Sequence, residues 1–97
     1  MRVTIKDITN NFNVQRDKVK QVKSQQLFIV DLIGGRVLIS YYTVVGLFHN
    51  STWFIDERKY SVTTTKQVNQ FRRSTKFESV ILSPATFDDL RDAIARV

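Results

Sequence analysis

The chain has 97 residues, enough for one hydrophobic core and too few for two, so it is expected to fold as a single domain over residues 1–97, alone or as a small homo-oligomer. Its 42% hydrophobic and 11% aromatic content, with one Pro and three Gly, excludes a disordered or low-complexity chain. Fifteen Lys and Arg against nine Asp and Glu give a formal net charge of +6, which favours an anionic partner, while the absence of Cys excludes disulfides and thiolate metal sites and fits a reducing cytoplasm.

Residues 2–7 alternate weakly through Val3 and Ile5 before Ile8, Thr9, Asn10 and Asn11 break the pattern, which predicts a short edge strand or an arm. No apolar stretch of signal-peptide length follows the charged start, so secretion is not expected. Residues 13–23 set Arg16, Lys18, Lys20 and Lys23 against Asp17, with apolar positions only at Val14, Val19 and Val22. The β-branched spacing favours a short strand over a helix, and its lysines read equally as guards of an exposed edge or as a phosphate-contacting strip.

Residues 27–33 are apolar on both faces apart from Asp31 and predict a buried strand. The run is far shorter than the roughly 20 residues that span a bilayer, so no membrane partner is expected. Gly34-Gly35 offers a two-residue turn in which both residues can take φ > 0. Residues 37–48 are continuously strand-like, with Gly46 and residues 40–43 as the places for a bulge or bend. His49, Asn50 and Ser51 form the next turn, which is also the simplest reading of the Asn50-Ser51-Thr52 sequon, and residues 52–56 complete a meander.

The stretch 59–73 (K-Y-S-V-T-T-T-K-Q-V-N-Q-F-R-R) predicts a helix beginning near Thr64, with Ser61, Thr63 or Thr64 as its cap. Thr64, Val68, Phe71 and Thr75 share a packing side; Lys66, Asn69, Gln70 and Arg73 lie opposite, with Arg72 toward the boundary. The hydroxyls serve as an ordinary cap, or the helix start and its basic face take an anion. Residues 78–82 predict a further strand. Ser83-Pro84 then opens a final helix with a Phe87, Leu90, Ile94, Val97 stripe and Ala93 beside it; Asp88 and Asp89 are placed for its first turn, and Asp92 to pair with Arg96. The expected fold class is α+β: a small antiparallel sheet, a meander of three or more strands, packed by a short basic helix and a C-terminal amphipathic helix.

For catalysis the chain offers a lone His49 in a turn, an Asp56-Glu57 pair that points to opposite faces of a strand, and no glycine loop leading to Lys-Ser/Thr. No catalytic, metal or cofactor residues are predicted, and no enzyme is expected. Binding is better supported, because Arg58, Lys59, Lys66, Arg72, Arg73 and Lys76 follow one another without an intervening acid and Tyr41, Tyr42, Trp53 and Tyr60 lie nearby in sequence. Those aromatics fall in strand patterns and read first as core. The candidate partner-binding residues are Lys66, Asn69, Gln70, Arg72, Arg73 and Lys76, together with Lys18, Lys20 and Lys23.

Residues 38–45 (L-I-S-Y-Y-T-V-V) followed by residues 60–71 (Y-S-V-T-T-T-K-Q-V-N-Q-F) resemble a pattern of short uncharacterised proteins of tailed bacteriophages. There a strand with Ser-Tyr-x-Thr-Val-Val precedes Tyr-Ser-x-Thr-Thr-x-Lys-x-x-Asn-x-Phe. The similarity spans residues 20–71 and singles out Tyr60, Ser61, Thr63, Thr64, Lys66, Asn69 and Phe71. It implies a phage gene product acting in the host bacterial cytoplasm and brings no activity with it. The leading expectation is a small non-enzymatic accessory protein that binds nucleic acid through the basic helix. The rivals are a module that inhibits or redirects a host protein, such as a polymerase or defence component, and a virion component.

Overall fold

A computed structural model describes residues 2–23, 25–58 and 60–95. The chain runs α1 (Ile5–Phe12), a 3-10 turn (Arg16–Lys18), β1 (Val19–Gln21), β2 (Leu27–Leu32), β3 (Gly35–Ser40), β4 (Thr43–His49), β5 (Thr52–Asp56), α2 (Val62–Ser74), β6 (Glu78–Leu82) and α3 (Pro84–Ala95). Among the described residues six strands lie side by side in chain order and form one sheet, which with the helices makes an α+β fold. Every neighbouring pair is antiparallel except β5 and β6, which are parallel. The α+β class and the antiparallel meander are as expected; the one parallel pair needs a long crossover, and α2 is that crossover.

The N-terminal segment is a helix, not an edge strand or arm. Asp7 N–H donates to Thr4 Oγ1 at 3.2 Å while Thr4 N–H donates to the Asp7 carboxylate at 2.8 Å, a reciprocal cap that satisfies two backbone donors at once. Asn13 closes the helix in the left-handed conformation, φ 53°. The Gln26 side chain fastens the lead-in by accepting from Val3 N–H and donating to Val3 O.

Residues 37–48 are two strands. A turn at Tyr41 and Tyr42 separates β3 from β4, with Tyr41 at φ 56° and its N–H held by Gln26 O at 2.8 Å. In β4 the register jumps from Leu38–Gly46 to Ile39–Val44, so Val45 is a bulge, beside the glycine expected to mark one. A Cβ at Gly46 would lie 3.2 Å from both Leu38 and Ile55. The β2–β3 loop is shifted from expectation: Leu32 pairs with Gly35, leaving Ile33 and Gly34 at the tip. Gly35 itself has φ +156°, and a Cβ there would collide with the Phe48 carbonyl oxygen. Asn50 and Ser51, both left-handed, join β4 to β5 as expected.

Alternation divides the core into two. Val19, Phe28, Val30, Val37, Ile39 and Leu47 point to the face covered by α1 and α3, where Ile8, Phe87 and Ile94 complete a buried cluster. Leu27, Leu38, Val45, Trp53 and Ile55 point to the other face and meet Val68 and Phe71 of α2. The α3 stripe is therefore placed as the sequence predicts for Phe87, Leu90 and Ile94; Val97 and Arg96 lie outside the described residues. Asp88 and Asp89 do not fall in the first turn, and Asp88 serves as an ion-pair partner for Arg58 and Arg91 at 3.0 and 3.6 Å.

Candidate functional site

The best-defined exposed constellation is built on α2. Its cap is Ser61, whose Oγ accepts from Thr64 N–H at 3.3 Å and donates to Thr64 Oγ1 at 3.2 Å. Thr64 Oγ1 also lies 3.2 Å from buried Ser40 Oγ on β3, and Ser40 Oγ donates to Gln67 Oε1 at 2.7 Å. Two of the hydroxyls are thus consumed in seating the helix on the sheet, so the cap reading accounts for Ser61 and Thr64. Val68 and Phe71 follow at the helical spacing, and Phe71 packs edge-on against Trp53 with ring centroids 5.0 Å apart.

That seating turns Lys66, Asn69, Gln70 and Arg73 to solvent. Arg73 Nε donates to Asn69 O at 3.3 Å, and half-buried Arg72 is fixed by an Nε bond to Ser79 Oγ of β6 at 3.1 Å. The two arginines occupy the last turn, where the helix dipole favours cations, and exposed Lys76 follows two residues later. No carboxylate occurs on α2. The side chains of Lys66, Asn69, Gln70 and Arg73 therefore project from one side of the molecule without a competing acid on the same helix.

The remaining sequence candidates are elsewhere. Lys18, Lys20 and Lys23 are exposed just before, within and just after β1, at the opposite edge of the sheet from β6. Lys20 pairs with Ile29 and so points to the same side of the sheet as α2, but β1 and β5 are four strand spacings apart, about 19 Å. The Asp31–Arg36 ion pair, at 3.1 Å, lies on the strands between. The three lysines guard a short edge strand and form a second patch, not an extension of the first.

Arg58, counted among the cations in sequence, is committed to structure. Its Nε lies 2.6 Å from the buried Asp56 carboxylate, its N–H donates to Asp56 Oδ1 at 3.0 Å, and its guanidinium donates to Pro84 O and Asp88 at 3.2 and 3.0 Å. The hydrogen bond to Asp88, chiefly, raises its pKa further above the usual arginine range. This clamp ties the β5–α2 connection to the start of α3. Tyr60 packs beside it, and burial first, then the adjoining Asp56 carboxylate, push its phenol pKa up, so Tyr60 remains a neutral hydroxyl. Asp56, Tyr60, Val68, Asn69, Arg72 and Ile81 line a cavity of about 190 Å³ under α2.

His49 Nδ1 lies 3.2 Å from Gly34 O, joining two hairpin tips. Among the described residues no group of three or more His, Cys, Asp or Glu is placed to hold a metal ion, and no helix is long and apolar enough to cross a membrane.

One grouping has no counterpart in the sequence reading. The Arg36 guanidinium carbon lies 5.2 Å from the centre of the Phe48 ring, and Phe77 meets the same ring edge-on at 4.9 Å. These residues are far apart in sequence; only the register Arg36–Phe48–Trp53 and the return of α2 into β6 bring them together.

Over residues 7–89 the chain matches a family described as "Family of unknown function (DUF8033)". It belongs to that family. No curated protein and no solved structure matches the chain. The span shared with the DUF8033 family runs from α1 into α3, so it contains the whole sheet, α2 and the Arg58 clamp.

Proposed function

We propose that this DUF8033 protein is a non-enzymatic nucleic-acid-binding protein that grips the phosphate backbone with the outer face of α2. The observation that carries this is the acid-free exposed side of α2, with Lys66, Asn69, Gln70 and Arg73 projecting from a helix locked to the sheet, in a chain of net charge +6. Lys and Arg supply the phosphate contacts, and Asn69 and Gln70 can bond to sugar, phosphate or base edges. A phage accessory role in the host bacterial cytoplasm forms part of this proposal and rests on the Tyr-Ser-x-Thr-Thr-x-Lys-x-x-Asn-x-Phe resemblance.

Fluorescence anisotropy with labelled DNA and RNA tests the proposal. Affinity falls steeply with salt, and a Lys66→Ala/Arg73→Ala variant binds more weakly with its log–log salt slope reduced by about 2, one for each lost phosphate contact. Absence of any complex at about 50 mM salt, where such contacts are strong, ends the proposal.

A second reading is favoured by β6. This edge strand exposes Val80 by 43% and Ile81 by 50% and, unlike β1, has no lysine within it, so it can accept an extended strand from a host protein. A tagged copy would then retain one host protein from nuclease-treated lysate, and a Val80→Lys variant would lose it.

A further inference from the structure

The end of the sheet where α2 returns to β6 gathers more than phosphate-binding cations. β3 starts there at Gly35, β4 ends at His49, and β6 starts at Glu78, directly after Lys76 and Phe77. Trp53 and Phe71 on the same side are buried, as core aromatics should be, but Phe77 keeps 36% of its surface exposed while resting on Phe48. Arg36 is exposed and lies against Phe48, with Asp31 3.1 Å from its Nε. A shallow depression of about 480 Å³ adjoins them, lined by Asp31, Arg36, Phe48, His49, Asn50 and the Ile33–Gly35 tip. Arg72, Arg73 and Lys76 stand at the α2 end of the same region.

We infer that Phe77 and Arg36, supported by Phe48, form a platform on which unpaired bases of single-stranded nucleic acid stack, while Arg73 and Lys76 take the adjoining phosphates. This rests on the nucleic-acid reading of α2 and narrows it to one form of the polymer. Every base has a π face that an exposed ring or a planar guanidinium can cover, whereas the bases of a duplex are already stacked on one another. Charge sets the strand's orientation. Phosphates go to the arginine and lysine end, and the Asp31, His49 and Asn50 side, which contains a carboxylate, faces base edges.

The test is anisotropy titration of labelled oligothymidine of about 20 nucleotides, and of a duplex of equal length, at one salt concentration. Wild type binds the single strand more tightly. Phe77→Ala weakens the single-strand complex at least about fivefold, the lower bound for loss of one stacked base, and changes the duplex complex less than twofold. Phe77→Leu keeps an apolar side chain on Phe48, so it carries the test if the alanine variant melts early; it shows the same selective loss. Arg36→Ala gives a smaller loss in the same direction. If Phe77→Leu binds the single strand like wild type while Lys66→Ala/Arg73→Ala does not, the stacking platform is wrong and the α2 proposal stands. Equal loss on both polymers also overturns the platform, and absence of binding to either removes both proposals.

Discussion

The two faces of the sheet are closed differently. One face is covered by two helices, α1 and α3, and its cluster joins residues from Val3 to Ile94. The other is covered by α2 alone, which buries only Thr64, Val68 and Phe71 and leaves Phe48 half-open at the margin. Charge divides the same way: four of the nine acidic residues, Asp7, Asp88, Asp89 and Asp92, ride on α1 and α3, and none rides on α2. A helix that contributes little to the core is free to present cations, and a face with two helices can hold the fold while the other meets a partner.

Core truncation breaks or sharpens that contrast most directly. Phe87, 1% exposed on the two-helix face, is expected to lose about 3–5 kcal/mol on substitution by Ala, measured by urea denaturation. Phe71→Ala on the α2 face, at 9% exposure, is expected at the low end of that range while also loosening the helix and weakening nucleic-acid binding. If Phe71→Ala costs more than Phe87→Ala, the α2 face is as much the structural core as the other. Next in size is Ser40→Ala, which strips the partner from Gln67 and Thr64 inside the α2 seat and is expected to cost about 2 kcal/mol by the same measurement.

How far the sequence revealed this division depends on the signal. The α3 stripe, the Asn50–Ser51 turn and the basic face of α2 were legible because each rests on local spacing or local chemistry. At α1 the weak Val3 and Ile5 alternation concealed the Thr4-x-x-Asp7 cap, a helix-start signal present in the sequence. The Tyr41–Tyr42 turn falls within the residues 40–43 expected to bend, although it carries no Gly or Asn; the bond to Gln26 O and packing of Tyr41 against the core sustain its left-handed residue. Periodicity marks the α2 cations, but the pairing of Arg58 with Asp56 and Asp88 exists only because the fold brings α3 to it. Arg36, Phe48 and Phe77 are a product of strand register, which no local pattern encodes.

Helix caps give finer probes of each face. Ser61→Ala removes the acceptor for Thr64 N–H and is expected to cost about 1 kcal/mol. Trp53 belongs to the α2-side cluster, so its fluorescence should report this change before global unfolding. An unaltered melting curve and unaltered fluorescence would mean that the Ser40–Gln67 bond seats α2 without its cap.

The smallest effect is expected at Asp7, and its sign follows from the cap. The Thr4 N–H first, then the Thr4 hydroxyl, hold the Asp7 carboxyl below its ordinary pKa of 3.8. A carboxyl with a lowered folded-state pKa contributes stability that is fully present above the unfolded value and lost as pH falls through the folded one. Wild type should therefore exceed Asp7→Asn in stability at pH 7, and the gap should close on acidification below about pH 4, near the unfolded value of an Asp. Denaturation curves of both proteins across that range measure it, with amide exchange at Ile8 following α1 and Trp53 following the opposite face. Loss of protection at Ile8 with Trp53 unchanged would show the two faces held independently. A parallel change at Trp53 would show instead that α1 stabilises the whole sheet, including the seat of α2.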